Sequence, residues 1–153
     1  TFLHTLSLHD ALPIYIKQFE PTFIFVSLGG NEMFVKDIKT RHLQPLKNIL
    51  SQIGDIPYQW IAPPNWKPDT GINELLAENI PADKLFVSKD VQLARANDKV
   101  HPTRMAAYGW FDLIVEWMQQ NQKYQIRLGD GSRSCIMKPF TVSLLFAILS
   151  SRA

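Results

Sequence analysis

This chain is short of the residues that staple, anchor or charge a small protein. It holds one cysteine in 153 residues, Cys135, which excludes an intramolecular disulfide framework. Its 16 Lys and Arg are nearly balanced by 14 Asp and Glu, and a net charge of +2 is too small to argue for nucleic acid. No basic stripe interleaves with aromatics. Internal repeats and low-complexity tracts are absent. His4, His9 and His42 share no ligand-like spacing, so no metal is assigned and no cofactor is expected. The run from Phe140 to Leu149 is too short to span a bilayer, which needs about 20 apolar residues in a helix. No membrane partner is expected. The opening residues lack the basic start and continuous apolar stretch of a secretory signal, so the compartment is left open.

What is present is an ordinary globular composition, 46% hydrophobic and 20% charged, in a chain long enough for one domain with a real core. Residues 22–28 read as a buried strand. Leu43, Leu46, Ile49, Leu50 and Ile53 then repeat at helical spacing up to Gly54, a C-terminal stop. Pro45 belongs in the first turn of that helix or marks its start. Tyr58-Gln59-Trp60-Ile61-Ala62 reads as a second strand closed by Pro63-Pro64. Leu75 and Leu76 sit in a short helix, and Leu85-Phe86-Val87 makes a third strand. A helix follows from about Thr103 to Gln120, with Thr103 as its N-cap. Ala107, Phe111, Ile114, Val115 and Met118 fall on its apolar face. Strands alternating with helices point to βαβ units and a parallel sheet.

Two motifs lie where such a sheet binds ligands, outside the carboxyl ends of its strands. Gly29-Gly30-Asn31-Glu32 follows the first strand. Asp98-Lys99-Val100-His101-Pro102 precedes the last helix. The three-residue spacing lets the Asp98 carboxylate reach the His101 ring, and Pro102 biases His101 away from helical geometry. An oriented imidazole is the general base that a serine nucleophile requires. An amide at a strand end, as in Asn31, is a rigid donor for a developing oxyanion. Each motif also has a plain reading. Gly-Gly-Asn is a common turn, and His101 in a loop can simply be solvated.

Taken together, the two motifs resemble those of the SGNH (GDSL-type) hydrolases, serine esterases on a flavodoxin-like, three-layer α/β/α parallel sheet. The Gly-x-Asn-Asp block of that family is matched by Gly29-Gly30-Asn31-Glu32, with Glu for Asp. Its Asp-x-x-His block is matched by Asp98-Lys99-Val100-His101. The resemblance implies His101 as base, Asp98 as its orienter and Asn31 with Gly30 in the oxyanion hole. It also implies a small-molecule or carbohydrate ester as substrate. Trp66, in the proline-rich loop after the second strand, would line an acyl pocket or stack on a sugar; otherwise it folds back to cover the sheet.

The family's Gly-Asp-Ser nucleophile block is not found upstream, so the nucleophile is unknown and the resemblance covers roughly residues 15–121. Gly129-Asp130-Gly131-Ser132 is a near match downstream, as in a circular permutant, but the extra glycine changes the turn. The chain begins at Thr1, and Ser7-Leu8-His9-Asp10-Ala11-Leu12-Pro13-Ile14 resembles a translated sequencing-adapter read-through. The expected organisation is therefore a non-native leader over 1–14, a partial hydrolase domain over 15–122 and a divergent or non-native tail over 123–153. The alternative is a non-catalytic α/β binding module in which the same residues bond structurally.

Overall fold

A computed structural model describes residues 8–121 and 142–145, with side chains over 11–120. The elements in chain order are α1 (Leu8–Phe19), β1 (Phe23–Ser27), α2 (Ile38–Ile53), β2 (Tyr58–Ile61), α3 (Ile72–Asn79), β3 (Leu85–Phe86), α4 (Arg104–Asn121) and β4 (Val142–Leu145). The fold is mixed α/β. Strands β1, β2 and β3 lie side by side and parallel, with Ile24 opposite Tyr58, Val26 opposite Trp60 and Trp60 opposite Leu85. On the far side of β1, β4 pairs with it in parallel, Phe23 opposite Val142 and Val26 opposite Leu145. The sheet order is β3-β2-β1-β4.

The strands are apolar on both faces because both are covered, as parallel sheets require. Ile24, Val26, Tyr58, Trp60 and Leu85 point into one core, shared with α2, α3 and Leu12 of α1. Ile61 and Phe86 point the other way, into a second core with Ile114 and Met118 of α4 and the flanking Phe25, Trp110 and Trp117. Successive residues of one strand thus serve different layers, the period-two rule of a pleated strand. Full burial of each such side chain contributes roughly 1.5–3 kcal/mol. After β3 the chain reverses its direction across the sheet and also changes face. Reversing both leaves every crossover with the same hand, which is the constraint on such connections.

Two expectations meet a different outcome. Helix α2 begins at Ile38, two turns before Pro45, which lies inside it. Burial of Ile38 carries the helix through a residue that removes one backbone hydrogen bond. Leu8–Phe19 forms α1, and Leu12 is buried in the main core. Phe111, expected on the buried face of α4, is 51% exposed. The buried arc is rotated toward β3. Trp110 donates its indole N–H to Ser88 Oγ at 3.0 Å, and Trp117 meets Phe86 edge-on. The Gly129–Ser132 turn lies outside the described residues.

Candidate active site

Because β1, β2 and β3 run parallel, the loops that leave them emerge at one edge of the sheet. These are residues 28–37, 62–71 and 87–103. Gly30 and Asn31 are on the first, Trp66 on the second, Asp98 and His101 on the third.

The first loop turns on Gly29, whose φ of +112° is a conformation L residues rarely adopt. A 3-10 turn over Glu32–Phe34 follows, with Asn31 at its N-cap position and exposed. Met33 beneath it is fully buried and anchors the loop. Thr70 of the second loop binds the same turn, its hydroxyl donating to the carbonyls of Met33 and Val35 at 3.0 and 2.8 Å.

The second loop is anchored at both ends. Pro63 and Pro64 are buried. Asp69 accepts the backbone N–H groups of Gly71, Ile72 and Asn73 and the Asn73 side-chain amide, so it caps α3. Partial burial pushes the Asp69 carboxyl up, but these four hydrogen bonds outweigh it and hold the group below the ordinary carboxylate range. Trp66 folds back against the main core and donates its indole N–H to the Gly30 carbonyl at 3.3 Å.

The third loop is built around Asp98. One carboxylate oxygen accepts the backbone N–H groups of Val100 and His101, at 2.9 and 3.0 Å. The other lies 2.7 Å from His101 Nδ1. The His101 side chain is first among the causes, ahead of the two amides, that lower the Asp98 pKa to about 2. Asp98 is therefore an anion at neutral pH and can only accept, so the bonded Nδ1 carries its proton. In a neutral ring this leaves Nε2 as the acceptor. The His101 side chain is 70% exposed, so Nε2 is open to solvent or substrate. Lys99, between the pair, sits at φ +62°, a left-handed geometry that costs a non-glycine residue about 1 kcal/mol.

One cation joins the third loop to the second. Arg95 donates from Nη1 to the Val100 carbonyl at 2.9 Å and from Nη2 to the Asn65 carbonyl at 3.0 Å. A short antiparallel bridge, Arg95 opposite Pro102, closes the same loop, with Ala96 N–H donating to the His101 carbonyl and Thr103 N–H to that of Ala94. Thr103 Oγ1 then accepts the Ala106 N–H and caps α4. Gly30 is thus tied to Trp66, its neighbour Asn65 to Arg95, and Arg95 to the residue before His101. The structure places Gly30, Asn31, Trp66, Asp98 and His101 along one sheet edge and joins Asp98 directly to His101.

Arg95, Asn65 and Phe34 were not singled out from sequence. Arg95 and Asn65 belong to no short motif, and Arg95 donates to backbone carbonyls 5 and 30 residues away. Among the described residues no cluster of His, Cys, Asp and Glu could hold a metal ion, and no helix is long and apolar enough to cross a membrane. No family model, curated protein or solved structure matches the chain.

Proposed function

We propose that the chain carries part of an ester hydrolase site of the SGNH type, on a flavodoxin-like, three-layer α/β/α sheet. The observation that carries this reading is the 2.7 Å contact from the Asp98 carboxylate to His101 Nδ1, with the ring otherwise exposed at the carboxyl edge of the sheet. His101 Nε2 takes the proton of a serine hydroxyl as it attacks the ester carbonyl, and returns it to the leaving alkoxide. Asp98 holds the ring in the required tautomer and balances the imidazolium that forms. Asn31 and the Gly30 backbone stabilise the oxyanion of the tetrahedral intermediate. The substrate is a carboxylic ester of a small molecule or a carbohydrate. The nucleophile is not assigned, since no Gly-Asp-Ser block is found in the sequence.

The coding sequence upstream of residue 15 and the protein it specifies test this. A strand ending in Gly-Asp-Ser is expected there. In the protein that carries it, His101→Ala abolishes turnover of p-nitrophenyl acetate, and Asn31→Ala lowers kcat by roughly 100-fold with a smaller effect on KM. Unchanged turnover in the His101 variant, with its circular dichroism intact, would overturn the mechanism.

A second reading, a non-catalytic binding module, is favoured by one feature. Asp98 gives an oxygen to two turn amides, as in a structural Asx turn. An intact gene without a Gly-Asp-Ser strand would support it.

A further inference from the structure

Phe34 closes the 3-10 turn three residues after Asn31 and is 56% exposed. It is nevertheless held in place. Trp66 meets it edge-on, with centroids 6.3 Å apart and planes at 73°, and Trp66 is itself fixed by its bond to Gly30 and by the core. The Lys67 ammonium lies 4.6 Å from the Trp66 ring centroid and 5.7 Å from that of Phe34. Contact with two aromatic faces is a favourable seat for a cation, and it orders a side chain that would otherwise be free.

Two cations, Lys67 and Arg95, border this stretch of the second loop. Among the described residues Lys67 has no carboxylate within ion-pair distance. Asp69, two positions on, is occupied by the N-terminus of α3. Arg95, bonded to the Asn65 carbonyl, has its described side-chain hydrogen bonds to backbone carbonyls only. The described partners of these two cations are rings for Lys67 and backbone carbonyls for Arg95. An exposed aromatic side chain beside a fixed ammonium matches a ligand with an apolar C–H face and a carboxylate at its rim.

We propose that Phe34, Trp66 and Lys67 form a subsite for a sugar ring bearing a carboxylate, a uronic acid unit of the ester substrate. The C–H face of the sugar stacks on Phe34, Trp66 buttresses Phe34 from its edge, and Lys67 pairs with the carboxylate. This rests on the esterase reading and narrows its substrate to acylated acidic carbohydrate. Binding needs neither a nucleophile nor proton transfer, so its failure and the failure of hydrolysis are separate results.

Calorimetric titration of the chain with a trimer of a uronic acid and with the neutral hexose trimer tests it. The acidic trimer is expected to bind about three- to five-fold more tightly at low salt, the scale of an exposed ion pair. Lys67→Gln should erase that preference, whereas Lys47→Gln on the exposed side of α2 should keep it. Phe34→Ala should weaken both trimers by about five-fold, the scale of one aromatic contact. Because Phe34 is exposed, its removal leaves the fold intact. Absence of saturable binding, equal affinity for the two trimers, or a preference that survives Lys67→Gln would each overturn the proposal.

Discussion

Two adjacent glycines in the first loop should respond in opposite ways to the same substitution. At Gly29 the backbone φ is +112°, and a Cβ would lie 3.1 Å from Ile72 Cγ1 and 3.2 Å from Pro63 Cδ. Ile72 and Pro63 are both buried, so neither can swing away freely. The backbone cost of an L residue in such a region is roughly 1–3 kcal/mol, and crowding of a packed neighbour adds to it. Gly29→Ala should therefore destabilise by roughly 2–4 kcal/mol. At Gly30 the nearest atom to a Cβ is Pro63 Cβ at 3.9 Å, an ordinary contact, and φ is not left-handed. There alanine removes freedom from the unfolded chain, and Gly30→Ala should be neutral or stabilising by up to about 1 kcal/mol. Urea unfolding followed by tryptophan fluorescence reads both. Equal midpoints for the two variants would refute the loop geometry and, with it, the placement of Asn31.

Asp98 has a folded pKa of about 2 against an ordinary 3.8, so the stability it contributes is present above about 3.8 and is lost as pH falls through about 2. Carboxyl carbon NMR on His101→Ala should show Asp98 titrating closer to the ordinary value, and an unmoved midpoint would remove the pairing. Thr103→Ala should destabilise by about 1 kcal/mol through loss of the α4 cap, and Thr103→Ser should recover most of it in the same urea titration. Arg95→Ala leaves the Val100 and Asn65 carbonyls without their donor, so the amides of Ala96 and Thr103 that close the His101 loop should exchange with deuterium faster. Unchanged exchange there would mean that the loop holds itself.

The elements were legible where a local pattern decides them. Apolar runs at 23–27, 58–61 and 85–86 are strands, Gly54 ends α2 with φ +59°, and Thr103 caps α4. The Asp98–His101 spacing likewise works within one turn of chain, because both groups share a loop and the carboxylate finds the nearby amides as well as the ring. Such features depend on near neighbours, whose separation the sequence states directly.

Other features depend on what packs where, and these appear only in the folded chain. Which arc of α4 is buried followed from the position of β3, which draws Trp110 and Trp117 inward and leaves Phe111 in solvent. The passage of α2 through Pro45 followed from burial of Ile38, because tertiary contact outweighs one missing hydrogen bond. The sheet edge itself is a tertiary fact. Residues 30, 66 and 101 are far apart along the chain, and only parallel pairing of β1, β2 and β3, with Arg95 and Trp66 tying their loops, brings them to one side. Sequence alone determined the local groups that could do chemistry, since residue type and short spacing set their reach; the fold decided which of them share an edge, since that depends on strand order and on the burial that enforces it.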